Sequence, residues 1–382
     1  MGVKVAIVHD YLKEYGGAER VVETLLEVFP KADVYTTVFA PQFMGPHRDR
    51  VEKWNVHTSW LQNIPFTHKF IGWYRLIAPF VFSQMDLKQY DIVITSCAGT
   101  YTSPNFVKIG EKTKLIAYYH TPPRYLYGYA TAGKWDRSGW RQVVKAVGEI
   151  PMHILRVLDF HSAQKPSLVL ANSEEVKKRI EKFYRRTALV VNPPIETNSK
   201  FRMQNSKLHS DYYLTGGRLA RAKHNEIPLL ACALLGRKLK VFGKDFSGYL
   251  DELVELAEKQ RNDTKKTIAI EFVGEVSDTE RIALMTGAKA FLYASVDEDF
   301  GIIPVESMVC GTPVIAYRSG GVRETVVDGK TGLFYDQLTP QSMADAIKTF
   351  EKMTWSPADC VSQANKFSKQ VFIKQIKALV MK

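Results

Sequence analysis

Apolar residues along this chain fall into short runs separated by loops and amphipathic stretches, the pattern of buried parallel strands alternating with helices. Val3 to Val8 reads as a first buried strand. The loop His9 to Gly17 follows, then an amphipathic helix from Ala18 to Phe29 that Pro30 stops. Further strands are expected over 34–39, 91–96, 114–119 and 168–171. Trp135 to Lys165 reads as a basic helix carrying Trp135, Arg137, Trp140, Arg141 and Lys145. Asn172 and Ser173 are placed to cap a helix running through Tyr184. Residues 188–194 close the unit, and the polar stretch 196–210 reads as a linker. The pattern then restarts, with strands expected over 212–219, 239–243, 268–274, 288–294, 313–317 and 331–335. A helix from Pro340 and an apolar-basic helix over 367–381 end the chain. At roughly 150 residues per domain, 382 residues make two such units. Ligands are then expected beyond the carboxyl ends of the strands and in a cleft between the units.

Composition changes this picture in one respect. The net charge of +12 and pI near 9.3 suggest an anionic partner: nucleic acid, an acidic membrane face or a phosphorylated substrate. The stretch Trp54 to Phe82 has no acidic residue. It gathers Trp54, Trp60, Phe66, Phe70, Trp73, Tyr74, Phe80 and Phe82 with Lys69 and Arg75. A membrane interface and a helix pair buried against the first sheet both account for it. Cys97, Cys232, Cys310 and Cys360 are far apart, lack metal-ligand spacing and read as reduced and buried. The N-terminal apolar run is too short for a signal peptide, and no run approaches the ~20 apolar residues of a spanning helix.

The densest chemistry lies in Ser295 to Ala316. Pro304 suits a helix first turn, so a short helix is expected to join strands 288–294 and 313–317 in a parallel crossover. Glu298 then sits in the loop leaving the first strand and Glu306 near the helix start, with Phe300, Gly301 and Ile302 between them. Two carboxylates and the free amides of a helix N-terminus suit a sugar, because carboxylates accept charge-assisted hydrogen bonds from hydroxyls. Arg218 and Lys223, five apart in what reads as a loop after a strand, can grip a diphosphate. Gly16 and Gly17 can bring backbone amides against such a group, and His120, stiffened by Pro122 and Pro123, can contact a sugar or assist proton transfer. Gly16-Gly17 lies in a strand–loop–helix context without Gly-x-Gly-x-x-Gly, which disfavours a dinucleotide site. Asp297-Glu298-Asp299 has no second carboxylate cluster to complete a metal shell. Asp299-Phe300-Gly301 lacks the His-Arg-Asp loop of a kinase.

The assembled pattern resembles the family-4 retaining glycosyltransferases of the GT-B fold. The resemblance rests on Gly16-Gly17-Ala18-Glu19, His120-Thr121-Pro122, Ala171-Asn172-Ser173, Gly217-Arg218-Leu219 with Lys223, and Phe272-Val273-Gly274. Glu298-Asp299-Phe300-Gly301, Glu306, Gly311 to Ala316 and Gly320-Gly321-Val322-Arg323-Glu324 complete it. His120 to Tyr125 is similar to the version in mannosyltransferases that build surface glycans. The resemblance implies an α/β GT-B fold of two Rossmann-like domains facing across a cleft. An acceptor-binding domain would span 1–200, with the helix 365–382 crossing back to it, and a nucleotide-sugar domain 201–364. Arg218 and Lys223 would hold the diphosphate, Glu306 the ribose and Glu298 the sugar. Amides of Phe300, Gly301 and Ile302 would touch sugar or phosphate, and Val273, Gly274 and Val276 would line the base. Gly16, Gly17 and His120 would serve the other side of the reaction, with His120, Arg218, Lys223 and Glu298 as the catalytic set.

The activity implied is retaining transfer of a sugar, mannose from GDP-mannose, to a glycan or polyprenyl-diphosphate-linked acceptor. No metal, no other cofactor and no nucleic-acid partner is expected, and the place of action is cytoplasmic, peripheral on the anionic inner face of the membrane. Leaving-group charge is stabilised by Arg218, Lys223 and loop amides, with front-face attack preferred to a nucleophilic Glu298. The rival readings are a GT-B enzyme of another type, such as a sugar-nucleotide epimerase or a phosphorylase, and a basic nucleic-acid-binding protein.

Overall fold

The computed structural model describes residues 2–129, 139–197, 211–264 and 269–381, with main chain alone for 139–148 and 263–264. The expected linker beyond 197, Trp135, Arg137 and the side chains of Trp140, Arg141 and Lys145 lie outside the described residues.

The chain divides into two compact units. The first runs to Tyr129, continues from 139 to Pro194 and takes back the chain end from Gln370; the second runs from Ile195 to Lys369. In the first, the elements are β1 (Val5–His9), α1 (Gly17–Val28), β2 (Asp33–Thr36), α2 (Arg48–Val51), β3 (Val56–Thr58), α3 (Thr67–Tyr74) and α4 (Ala78–Ser83). They continue as β4 (Ile92–Cys97), β5 (Lys114–Tyr119), α5 (Arg124–Tyr127), α6 (Gly139–Ser162), β6 (Leu168–Ala171), α7 (Glu174–Tyr184) and β7 (Leu189–Val190). The strands form one parallel sheet in the order β3-β2-β1-β4-β5-β6-β7.

Side chains alternate across a strand, and both faces of this sheet are covered. Val5 and Ile7 of β1 pack with Val21, Val22 and Leu25 of α1 on one face. Ala6 and Val8 pack with Ile71, Tyr74, Ala78, Val81 and Phe82 of α3 and α4 on the other. The 54–82 stretch therefore holds a helix pair against the sheet, as one of its two readings required, but it also supplies β3, which its aromatic content hid. Phe70, Trp73 and Phe80 on the outer side of these helices, and Phe66, Leu76 and Ile77 in the turns leading into and between them, are exposed.

The second unit holds β8 (Tyr213–Leu219), α8 (Glu226–Leu235), β9 (Leu239–Asp245), α9 (Tyr249–Thr264), β10 (Ile270–Gly274), α10 (Asp278–Gly287) and β11 (Phe291–Tyr293). It continues with α11 (Ile302–Val309), β12 (Val314–Tyr317), α12 (Val322–Thr325), β13 (Gly332–Tyr335), α13 (Pro340–Phe350) and α14 (Pro357–Asn365). Its parallel sheet has the order β10-β9-β8-β11-β12-β13. Leu239, Val241, Leu292 and Ile315 face α8 and α13. Leu214, Phe242, Phe291 and Val314 face α11 and α14.

The last helix, α15 (Lys369–Val380), packs into the first unit. Phe372, Ile376 and Val380 join the core beside β1, β4 and β5. Lys114 Nζ donates to the Leu379 and Val380 carbonyls at 3.3 Å each, satisfying acceptors that a helix end leaves over. The four cysteines are free thiols. Cys97, Cys232 and Cys360 are buried as expected, whereas Cys310, the C-cap of α11, is only partly buried. Among the described residues no helix is long and apolar enough to cross a membrane.

Candidate functional site

Each sheet has one place where successive connections turn opposite ways, and parallel sheets bind ligands there, beyond the carboxyl ends of the strands. In the second sheet it lies between β8 and β11. The chain leaving β8 carries Lys223, and the chain leaving β11 carries Glu298. The two meet: Lys223 Nζ donates to Glu298 Oε2. The Tyr293 hydroxyl donates to the same oxygen at 2.5 Å and the Ser295 hydroxyl at 2.8 Å. The sequence reading gave no role to Ser295, which opens the segment it singled out, or to Tyr293, two residues before it.

The loop carrying Glu298 is clamped from behind. Gly321 N donates to the Glu298 carbonyl at 2.7 Å. Gly320 has φ +67°, and a Cβ there would lie 2.3 Å from the Glu298 carbonyl oxygen and 2.5 Å from its nitrogen. The Gly320-Gly321 pair thus lets two backbone segments touch where no side chain fits. Gly320→Ala is expected to cost about 1–3 kcal/mol and to displace Glu298, weakening nucleotide-sugar binding. Thermal unfolding with a donor titration checks it; unchanged stability and affinity would show that the loop needs no such contact.

Gly301 caps α11 with φ +89°, turning Phe300, Gly301 and Ile302 into the helix start. The Phe300 ring is buried against Phe367 at 5.4 Å, so only its main chain can meet a ligand. Glu306 is the fifth of the eight residues of α11, past the helix start where it was expected, buried, with Oε1 3.4 Å from the Arg281 guanidinium of α10, a partner the sequence reading did not supply. Val273 and Gly274 end β10, and Val276 follows; both valines pack against the same core as Ile302 and Ile303. Arg218 departs from expectation. It stands on β8 itself, paired with Lys244 of β9, exposed and 5.5 Å from the Phe246 ring centroid. β8 runs through Leu219, so Arg218 belongs to the strand expected over 212–219 and not to the loop that follows it with Lys223.

In the first sheet the corresponding place lies between β1 and β4. Gly16 is the N-cap of α1, and its amide already donates to Glu19 Oε2 at 2.7 Å. The expectation that this amide faces a diphosphate is corrected by that bond; Gly17 opens the helix. The other Glu19 oxygen lies 3.3 Å from His9 Nε2. His9 Nδ1 is 3.0 Å from the Ser96 hydroxyl, which is 3.0 Å from Nε2 of His120. His120 thus belongs to a buried chain of four groups whose other members sequence reasoning missed. They are 10 to 87 positions apart and only the β1-β4-β5 register assembles them.

Burial, with the charge of His9, pushes the His120 pKa down to about 3. At His9 burial opposes charge, but the hydrogen bond and charge of Glu19 and the charge of Asp10 outweigh it and raise the pKa. Burial lifts the Asp10 carboxyl to about 7, against the His9 charge and the Thr100 and Tyr101 amides. A base with a depressed folded pKa is protonated more readily when unfolded. The His120 contribution is therefore intact above 6.5 and is lost as pH falls toward about 3. His120→Gln is expected to remove a loss of about 3 kcal/mol between about pH 6.5 and pH 4. Parallel loss of stability in wild type and variant over that range would contradict a neutral buried ring.

Two sequence families cover the chain almost end to end. Residues 15–199 match "Glycosyltransferase Family 4" and residues 197–367 match "Glycosyl transferases group 1". Among curated relatives, the mouse (Mus musculus) "Alpha-1,3/1,6-mannosyltransferase ALG2" is 32% identical over 147 residues, 35% of each protein. The fission yeast (Schizosaccharomyces pombe) alg2 of the same description is 24% identical over 374 residues, 86% of this chain and 70% of that one. The matches to the first of these relatives span only about a fifth to a third of their length, 18% for the Neurospora crassa alg-2 and 35% for the mouse protein. Among solved structures, Anabaena Alr3699/HepE in complex with UDP and glucose matches over 100% of both chains, with TM-score 0.70 and 18% identity. A sucrose-phosphate synthase from Thermosynechococcus elongatus matches with TM-score 0.71 and 17% identity over 99% of this chain and 98% of that one. With its two parallel Rossmann-like sheets and these two matched families, the chain belongs to the family-4, group-1 glycosyltransferases of the GT-B fold.

Proposed function

We propose that this glycosyltransferase moves mannose, with retention, from GDP-mannose to a glycan or polyprenyl-diphosphate-linked acceptor in surface-glycan synthesis. The observation that carries the donor site is the meeting of Lys223 and Glu298 beside the start of α11. A cation, a carboxylate and helix-start amides there match the diphosphate and sugar of a nucleotide sugar. The mannose assignment draws support from the names of the relatives and from the His120 to Tyr125 motif. HepE, crystallised with UDP and glucose, favours a uridine donor as the second reading.

In this reading Lys223, Arg218 and the amides of residues 300–302 gain most as charge builds on the leaving diphosphate. Glu306 holds the ribose, Val273, Gly274 and Val276 flank the base, and Gly17 and His120 serve the acceptor side. Glu298 positions the sugar. Three donors on one oxygen draw electron density from it, which favours front-face attack over a nucleophilic carboxylate. Trapping a covalent sugar on Glu298 would refute front-face attack. A product sugar of inverted anomeric configuration would refute retention. Product formation from donor alone would favour an epimerase, since transfer needs an acceptor.

The enzyme works peripherally at the anionic inner face of a membrane. Trp73 is 72% exposed, Phe66 64% and Phe80 59%, within a stretch that has no acidic residue. Aromatic rings of this exposure beside Lys69 and Arg75 suit a headgroup region with anionic lipid. Wild type is expected to float with vesicles containing acidic lipid, and a W73A/F80A double variant to stay in the soluble fraction. Equal flotation of the two, or equal flotation with and without acidic lipid, would overturn the assignment.

A further inference from the structure

Glu19, His9, Ser96 and His120 form an unbroken hydrogen-bonded chain at the carboxyl ends of β1, β4 and β5. Glu19 is 6% exposed, His9 1%, Ser96 0% and His120 8%. No transfer step derived above needs the first three. A buried, fully joined polar chain fixes hydrogen positions, because each member can use only what its neighbours leave.

The direction of the chain follows from the proton on His9. Glu19 Oε1, as a carboxylate oxygen, accepts, so His9 Nε2 carries a hydrogen. With a hydrogen on His9 Nδ1 as well, the Ser96 oxygen accepts from it and its own hydrogen turns to His120 Nε2. His120 Nε2 is then a lone pair and Nδ1 carries the hydrogen. With a neutral His9 every bond beyond it reverses, and His120 Nδ1 becomes the lone pair. The Glu19 carboxylate bonded to His9, and at longer range the charge of Asp10, support its charged form. Among the described residues His120 makes hydrogen bonds through Nε2 and through its main-chain N–H, which donates to the Cys97 carbonyl, so Nδ1 is the ring nitrogen left for substrate.

We propose that Glu19, His9 and Ser96 are positioning residues that lock His120 in the tautomer protonated on Nδ1. His120 then meets a sugar oxygen as a hydrogen-bond donor and not as a base. Its contribution to transfer rests on the functional reading above; the tautomer does not. The lock orients a hydroxyl of the sugar or acceptor without removing its proton, leaving the departing diphosphate to take that proton, as front-face attack requires.

The test is nitrogen-15 NMR of protein labelled at its nine histidines, with His9→Gln and His120→Gln spectra to assign the two rings. At neutral pH His9 is expected protonated on both nitrogens, and His120 on Nδ1 only. Glu19→Gln should discharge His9 and move the His120 hydrogen to Nε2, and Ser96→Ala should leave His120 as a tautomer mixture. In steady-state transfer from GDP-mannose, Ser96→Ala is expected to lower kcat about 10–100-fold with donor KM unchanged, and Ser96→Thr to restore most of it. His120 protonated on Nε2 in the wild-type spectrum, once that ring is assigned, overturns the lock. A Ser96→Ala protein with an unaltered His120 tautomer overturns it as well. The expected spectra without any sugar transfer would uphold the lock and refute the proposed reaction instead.

Discussion

Lys223→Ala is expected to lower kcat for sugar transfer about 100- to 1,000-fold, the size of loss when one preorganised donor to a developing anion is removed. Lys223 is held in place before any donor arrives, because Glu298 fixes its ammonium and the β8–β11 switch point fixes both chains. That preorganisation matters more than the ion pair itself, which is partly open to solvent and worth little as stability. The variant should therefore unfold near the wild-type temperature while losing turnover. Lys223→Arg keeps the charge but trades a point cation for a planar fork, so partial activity is expected. Steady-state kinetics with GDP-mannose and UDP-glucose distinguish these outcomes. A Lys223→Ala enzyme with near-normal kcat would move the leaving-group role to Arg218 and the loop amides.

Ending the chain after Lys369 is expected to unfold the first unit. Phe372, Ile376 and Val380 are each at most 2% exposed in the same core as β1, β4 and β5. Burial of each contributes about 1.5–3 kcal/mol, roughly 5–9 kcal/mol together. A typical domain has a net stability of only about 5–15 kcal/mol. The truncation also strips Lys114 of its two carbonyl acceptors and exposes one flank of Tyr118, whose ring packs edge-on against Phe372 at 6.0 Å. Phe372→Ala alone should cost about 3–5 kcal/mol. Denaturant unfolding and limited proteolysis read both changes. A truncated chain whose first unit stays protease-resistant would show that the helix merely lies on that core.

The strands of the first sheet were largely legible because parallel strands buried on both faces read as continuous apolar runs. Val5–His9 and Lys114–Tyr119 stand within two residues of where the pattern puts them. The crossover around Glu298 was legible for another reason: Gly301 and Pro304 mark a helix start with little ambiguity. The short β3 was not, since three residues inside an aromatic stretch carry no period of their own. Nor was α8, whose Glu226–Leu235 run is apolar on nearly all sides and matches no single period. Arg218 was grouped with Lys223 in the loop leaving the strand expected over 212–219, whereas β8 keeps it in the strand through Leu219.

The site shows the same division. Glu298 and Lys223 were legible as residue types, but their contact depends on which strands are neighbours. The Glu19–His9–Ser96–His120 chain is set by register alone: His9 pairs with Ser96 across β1 and β4, and His120 follows β5 directly. No local spacing in the sequence carries that information. Gly16 failed as a ligand amide for a local reason, because Glu19 three residues on completes its cap.

The most direct measurement is a thermal-shift titration of wild type, Lys223→Ala and Glu298→Ala with GDP, GDP-mannose, UDP and UDP-glucose. A donor that binds the folded protein raises its apparent stability by mass action, about 2.7 kcal/mol at a hundredfold excess over Kd. The wild type should be stabilised by one nucleotide sugar more than by its free nucleotide, and both variants should lose most of that difference. Stabilisation by no nucleotide sugar, or an equal shift in all three proteins, would contradict a donor site built on Lys223 and Glu298.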